Sequence, residues 1–138
     1  MAEGEKIKVI MAKIGPEDHY RGIIAVTEAL RHAGMEVVYL GAGQRIDGVI
    51  KAIVQEDAEV VGLSFLCGGH MEIMQRFMAR PLQENGLDHV LVVIGGIIQP
   101  WEIPQLKEMG VAEIFSPGSS LSEIAKFVLQ NVGRHESG

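Results

Sequence analysis

Short apolar runs alternate along the chain with longer segments in which apolar residues recur every three or four positions. The apolar runs cover residues 7–11, 36–40, 60–66, 90–94 and 112–115, and a glycine follows each within four residues. Runs this short and rich in Val and Ile are typical of strands. The amphipathic segments cover about residues 23–33, 46–56, 70–78, 103–109 and 121–132. Their spacing predicts helices, so the pattern predicts five strands alternating with five helices.

This alternation predicts an α/β domain with a five-stranded parallel sheet. Parallel strands need crossover connections, and right-handed crossovers place helices on both faces of the sheet, which gives a three-layer sandwich. The nearly unbroken apolar run 60–66 is typical of a central strand that is covered on both faces. Five units without a GxGxxG turn favour the flavodoxin-like strand order 2-1-3-4-5 over the dinucleotide-binding order.

Length and composition fit one such domain. The 138 residues leave no room for a second core, so we predict a single domain over residues 1–138, with its core at about 6–132 and a frayed tail at 133–138. Hydrophobic residues make up 47% of the chain but aromatic residues only 5%. The core must therefore be filled mainly by aliphatic side chains, as is usual for a buried parallel sheet.

Charge and cysteine content exclude several classes of protein. The net charge is −6 and Lys and Arg do not cluster, which argues against nucleic-acid binding. Cys67 is the one cysteine, so no internal disulfide can form and a reducing compartment is expected. The first six residues are polar, and no apolar run is long enough to span a membrane. We therefore predict a cytoplasmic protein without a membrane partner.

Three loops of the predicted sheet are expected to share one edge. They cover residues 15–22, 64–69 and 95–100, and they follow strands 1, 3 and 4, which are neighbours in the order 2-1-3-4-5. Ligands of open α/β sheets bind at this carboxyl edge. The glycine pairs 68–69 and 95–96 remove side chains there and allow a ligand to approach the backbone. This arrangement predicts a site for a bulky ligand.

The first of these loops carries Glu17, Asp18 and His19. A neutral imidazole held by a carboxylate is the usual arrangement for a metal-ligating histidine. The same residues also fit a solvated surface histidine. A hydrolytic metal site is disfavoured, because no other cluster of His, Asp or Glu supplies the remaining ligands.

Three motifs together resemble the cobalamin-binding domain family, whose pattern is Asp-x-His-x-x-Gly, Ser-x-Leu and Gly-Gly. Here they read His19-x-x-Gly22, Ser64-x-Leu66 and Gly95-Gly96. The resemblance covers about residues 6–132. Within the family, the chain is most similar to the mutase branch, typified by methylmalonyl-CoA mutase. Further segments that carry it are residues 11–15, 21–22, 33–37, 69–70, 109–111 and 115–118.

The resemblance implies that His19 is the lower axial ligand to cobalt, in place of dimethylbenzimidazole. The family has an aspartate two residues before this histidine, whereas this chain has Glu17 there and Asp18 next to the histidine. Either carboxylate could hold the imidazole, or its support is weakened. Loss of such support typically costs about 10- to 100-fold in metal affinity or activity.

The resemblance also implies that the displaced nucleotide arm of the cofactor is buried beside the sheet. Ser64 would hydrogen-bond the base of this arm and Leu66 would pack near it. Gly95 and Gly96 would leave room for the arm, and Gly22 would let the first helix begin close to the corrin-facing loop. The remaining residues that we expect to contact the cofactor are Tyr20, Arg21, Gly68, Gly69, His70, Pro117 and Gly118.

The implied function is that of a small subunit that binds adenosylcobalamin, in which homolysis of the cobalt–carbon bond generates a radical. It would act with a larger (β/α)8-barrel subunit, as a hetero-oligomer, in rearranging an acyl-CoA such as methylmalonyl-CoA or 2-hydroxyisobutyryl-CoA. No catalytic residue is predicted in this chain itself. The alternative is a corrinoid carrier for methyl transfer, or a cobalamin chaperone or sensor. Methyl-transfer proteins usually carry a helical domain first, whereas about six residues precede the first strand here.

Overall fold

The computed structural model describes residues 6–14, 21–65, 70–79, 86–87, 89–116 and 118–132. The described strands form one parallel sheet in the order β2-β1-β3-β4-β5, which confirms the predicted order 2-1-3-4-5. The strands are β1 Lys8–Ile14, β2 Glu36–Gln44, β3 Val60–Phe65, β4 Leu91–Gly96 and β5 Glu113–Phe115. The predicted tail at 133–138 lies outside the described residues.

Helices follow the strands and cover both faces of the sheet, as predicted. They are α1 Arg21–His32, α2 Ile46–Glu56, α3 His70–Ala79, α4 Ile103–Met109 and α5 Leu121–Asn131, with a 3-10 turn at Pro100–Glu102. Apolar side chains of α2, α3 and α4 form one core with the sheet, and those of α1 and α5 form a second core on its other side. We call these sides the α2/α3 face and the α1/α5 face.

Alternation along each strand decides which face a side chain reaches. In β1, Ile10 and Ala12 belong to the core on the α2/α3 face, whereas Val9 and Met11 belong to the core on the α1/α5 face. Successive side chains of a strand point to opposite faces, so the next residue on the α1/α5 face is Lys13. This parity becomes important at the carboxyl edge of the sheet.

Three strands run further than the sequence predicts. The fourth strand was expected to end at Ile94 but continues to Gly96. The first was expected to end at Met11 but continues to Ile14, and the second was expected to end before the segment 41–43 but continues to Gln44. The pairing shifts register between Met11 and Ala12 and again between Ala12 and Ile14. Gly41 and Gly43 have positive φ values of 92° and 74°. The glycines therefore support irregular pairing, which bends the strand without ending it.

Gly95 and Gly96 end β4 for different physical reasons. A Cβ on Gly95 would lie 3.5 Å from the carbonyl oxygen of Phe115, which is an ordinary van der Waals contact. Gly96 has a φ of 140°, and a Cβ there would overlap the carbonyl oxygen of Phe65. Gly96 is therefore required by the backbone, whereas Gly95 only leaves space.

We predict that Gly96→Ala lowers the free energy of unfolding by more than about 1 kcal/mol, because the native conformation is incompatible with a side chain. The matched control is Gly95→Ala, which meets no such obstacle and is expected to unfold near the wild-type midpoint. Urea unfolding followed by circular dichroism measures both. Equal stability of the two variants would contradict this assignment.

Candidate functional site

A cavity of about 700 Å³ lies on the α1/α5 face, between the sheet and the two helices. Strand β1 contributes Val9, Met11 and Lys13 to its wall, and β3 and β4 contribute the facing positions. Helices α1 and α5 close the other side with residues such as Leu30 and Val128. A volume in this range is typical of a small-molecule or cofactor site.

The register of the strands aligns one row of residues across the mouth of the cavity. Lys13 pairs with Ser64, Ser64 pairs with Gly95, and Gly95 pairs with Phe115. All four line the cavity. The row offers an ammonium group, a hydroxyl and an uncovered stretch of backbone at the carboxyl edge, where the sequence predicts the site.

A second row lies two residues deeper and is apolar. Met11 pairs with Gly62, and Gly62 pairs with Val93. At about 3.3 Å per residue, this row lies about 6.6 Å below the mouth row. Deeper still, Val9 and Val60 pair with each other. The cavity therefore changes from polar at its mouth to apolar at its inner end.

The predicted glycines of the helical side also lie at the mouth. Gly22 is the second residue of α1 and Gly118 precedes α5, and both line the cavity. A Cβ at either position would meet nothing within 4 Å, although Gly118 has a φ of 91° that disfavours a side chain. Together with Ser64, Gly95 and Gly96, these residues bring five of the sequence-predicted positions to one cavity.

Lys13 is a feature of the site to which sequence reasoning assigned no role. Its exposure is only 1%, and no described residue forms an ion pair or hydrogen bond with it. A lysine with so little exposure on a cavity wall suits a ligand group that is anionic or offers several acceptors. The signal was present in the sequence, because Lys13 follows Val9 and Met11 at every second position of a strand.

His70 was expected to contact the cofactor, but it is not among the residues that line the cavity. Its Nε2 lies 2.8 Å from Oε1 of Glu102, and its ring lies 6.1 Å from that of Phe65, which packs in the core of the α2/α3 face. Nδ1 is buried without a hydrogen-bond partner among the described residues. The pair connects the start of α3 to the 3-10 turn that follows β4.

Two hydrogen bonds hold the pKa of Glu102 below its ordinary value. The larger effect comes from His70 and the smaller from the backbone N–H of Gln99 at 3.0 Å. Glu102 is thus an acceptor for both the imidazole and the turn. This arrangement suits a structural clamp between two segments of the carboxyl edge.

Several predicted site residues cannot be placed. Glu17, Asp18, His19, Tyr20, Leu66, Gly68, Gly69 and Pro117 lie outside the described residues, as does the side chain of Arg21. Within the described part of the chain, no group of three or more His, Cys, Asp or Glu side chains could hold a metal ion. The described helices include none that is long and apolar enough to cross a membrane.

Comparisons with known proteins agree with the geometry. The family model for the B12 binding domain matches residues 7–125. The chain is 40% identical over 122 residues to the pivalyl-CoA mutase small subunit of Xanthobacter autotrophicus (strain ATCC BAA-1158 / Py2), covering 88% of this chain and 81% of that protein. It is 33% identical over 108 residues to the 2-hydroxyisobutanoyl-CoA mutase small subunit of Aquincola tertiaricarbonis, covering 78% and 79%.

A solved structure confirms the flavodoxin-like fold. A cobalamin-binding protein from Desulfitobacterium hafniense DCB-2 superposes with a TM-score of 0.77 at 19% identity, covering 91% of this chain and 59% of that chain. The resemblance to cobalamin-binding mutase subunits is confirmed by the family model and by the relatives, and with it the prediction of an isomerase subunit with a cobalamin cofactor.

The clamp between His70 and Glu102 predicts a pH-dependent contribution to stability. A carboxyl group whose pKa is lowered in the folded state stabilises it above the pKa of the unfolded chain, and this contribution disappears as the pH falls through the folded value. We therefore expect Glu102→Gln to lower the free energy of unfolding at pH 7 and to differ little from wild type in strong acid. Urea unfolding from pH 7 down into strong acid measures this difference.

The control is Glu72→Gln, which removes an exposed carboxylate from the first turn of α3, the helix that begins at His70. A deficit of Glu102→Gln that stays constant over the whole pH range would contradict the clamp.

Proposed function

This chain belongs to the B12-binding domain family, and we propose that it is the cobalamin-carrying small subunit of a two-component acyl-CoA mutase. The observation that carries the proposal is the cavity on the α1/α5 face, polar at its mouth and apolar inside. A corrin ring is too large to enter such a cavity, but the nucleotide arm of the cofactor fits its volume and its change in polarity. Two relatives that match along most of their own length are named as mutase small subunits.

Residues of the mouth row would hold the arm where it enters. Ser64 is half-buried and lines the cavity, so its hydroxyl can donate to a ring nitrogen of the base. Gly95 has no side chain to cover the backbone of β4 at the mouth of the cavity. Gly22 likewise leaves the backbone at the start of α1 open to a ligand. Burial of the arm on this face would orient the corrin across the carboxyl edge and exclude water from beneath it.

His19 would coordinate cobalt from the loop between β1 and α1. A carboxylate partner for its second ring nitrogen fixes the tautomer and raises the basicity of the ligating nitrogen, and Glu17 and Asp18 are the two candidates. Bound adenosylcobalamin supplies the radical chemistry, as cofactors generally carry the reaction that side chains cannot perform. This chain contributes binding, orientation and axial ligation.

The acyl-CoA would be held by a larger barrel subunit that covers the corrin. Exposed apolar side chains at the carboxyl edge support such a partner. Among the described residues, six large apolar side chains are exposed, and four of them belong to segments at this edge: Ile24, Ile97, Trp101 and Leu121. Trp101 is 67% exposed, and exposed tryptophans are frequent interaction hot spots.

The substrate class is an acyl-CoA of the methylmalonyl or 2-hydroxyisobutyryl type, with the protein acting in the cytoplasm. A corrinoid carrier for methyl transfer is the alternative. No described feature favours the carrier over the mutase subunit, whereas the relatives that match along most of their own length are mutase subunits.

Visible absorption spectroscopy of the purified chain with cobalamin tests axial ligation. We expect wild type to shift the spectrum and His19→Ala to bind without that shift. Of Glu17→Gln and Asp18→Asn, the variant that removes the true carboxylate partner should weaken binding about 10- to 100-fold. The other variant is its matched control.

A spectrum that the wild-type protein leaves unchanged would overturn cobalamin binding by the isolated chain. A shift that survives in His19→Ala would overturn axial ligation alone.

A second prediction concerns the partner. We expect Trp101→Ala to weaken association with the larger mutase subunit by about 30-fold, since hot-spot truncations cost about 2 kcal/mol or more, while cobalamin affinity stays at the wild-type level. Analytical ultracentrifugation with a candidate barrel subunit measures the association. Val54→Ala is the control, because Val54 is exposed near the end of α2 at the opposite edge. Equal association of both variants would contradict the proposed surface.

A further inference from the structure

The second row of the cavity holds a side chain that fills space left by a glycine. Met11 pairs with Gly62 across β1 and β3. A Cβ built on Gly62 would lie 2.5 Å from Sδ and 3.2 Å from Cε of Met11, with Cγ2 of Val93 at 3.6 Å. The thioether of Met11 therefore lies over the bare backbone of Gly62 and forms part of the cavity floor.

The surroundings of this thioether are apolar. Beyond it the cavity is lined by Val9, Val60 and the helix side chains Leu30 and Val128, whereas the polar groups Lys13 and Ser64 belong to the mouth row. Ser116 and Ser119, which also line the cavity, follow the end of β5, and the strand positions at and below the Met11 row offer no hydrogen-bonding side chain. Polar edges would be left unpaired at that depth, so the fitting group is an apolar aromatic ring.

Methionine can adapt to such a ring. Its side chain is unbranched with a polarisable sulfur, and contacts between sulfur and aromatic rings are favourable. Met11 is 6% exposed and makes no hydrogen bond that would hold it in place. The side chain can therefore shift along the floor without leaving a polar group unsatisfied.

We propose that Met11 is a cofactor-recognition residue whose thioether contacts the aromatic base of the nucleotide arm. Because this thioether lies over Gly62, the cavity is deep enough to accept the base. This inference rests on the proposed function and adds a residue to it. The sulfur contact increases affinity by about two- to tenfold for corrinoids that carry the arm, and not for corrinoids without it.

The test compares cobalamin with cobinamide, which lacks the nucleotide arm, by absorbance titration of the full chain. Gly62→Ala places a methyl group where the Met11 sulfur lies and pushes the thioether into the cavity. Overpacking of this kind costs enough to weaken cobalamin binding about tenfold, with cobinamide affinity unchanged. The double variant Met11→Ala/Gly62→Ala removes the displaced side chain and should recover most of the lost cobalamin affinity.

Met11→Ala alone supplies an independent answer if Gly62→Ala does not fold. The ratio of cobalamin affinity to cobinamide affinity should fall about two- to tenfold in this variant. An unchanged ratio would overturn the inference, as would a Gly62→Ala defect that affects cobinamide equally or that Met11→Ala does not relieve.

Failure of the proposed function gives a different result. If wild type binds neither corrinoid, cobalamin binding and the role of Met11 both fall. If wild type binds cobalamin and the variants keep the wild-type ratio, only the role of Met11 falls.

Discussion

The site depends on the absence of side chains at two positions of neighbouring strands, Gly62 in β3 and Gly95 in β4. Protein interiors are normally packed as densely as organic crystals, yet a cavity of about 700 Å³ separates the sheet from α1 and α5. Apolar walls that face a cavity forgo dispersion contacts. A ligand that fills the space would stabilise the folded state by an amount that grows with the logarithm of its concentration relative to its dissociation constant. The fold thus carries a local packing defect that a cofactor can correct.

The two faces of the sheet differ, because the α2/α3 face is covered by a packed core whereas the α1/α5 face carries the cavity. On the α2/α3 face, Phe77, Met74 and Ile53 are fully buried and pack in one continuous core. The His70–Glu102 clamp connects two segments of the carboxyl edge outside the cavity walls. The α1/α5 face holds the second core and, beside it, the cavity. Lys13, which is 1% exposed and forms part of the cavity wall, adds a positively charged side chain to this face.

Hydrophobic periodicity was sufficient to predict the architecture. The apolar runs identified five strands, the absence of a GxGxxG turn favoured their observed order, and helix α2 was predicted at its observed bounds of 46–56. The ends of the strands were harder to predict from sequence, because the register shifts near Ala12 depend on how β1 pairs with β2. The motif pointed to Ser64 and Gly95, which both line the cavity.

Other features of the site could not be predicted from the sequence, because they depend on contacts between distant parts of the chain. The two residues of the Gly95-Gly96 pair look equivalent in sequence. A side chain on Gly96 would overlap the carbonyl group of Phe65, whereas one on Gly95 would meet only an ordinary contact. Met11 reads as ordinary core until its pairing with Gly62 is known. The hydrogen bond of His70 joins it to Glu102, which is 32 residues further along the chain. Contacts this distant in sequence leave no local pattern.

The most direct test of the account is a crystal structure of the chain with cobalamin bound. We expect electron density for the nucleotide arm between the sheet and helices α1 and α5, with the base extending from Ser64 down to Met11 and Gly62. Density for an arm folded against the lower face of the corrin, with the cavity filled by solvent or by protein side chains, would contradict it.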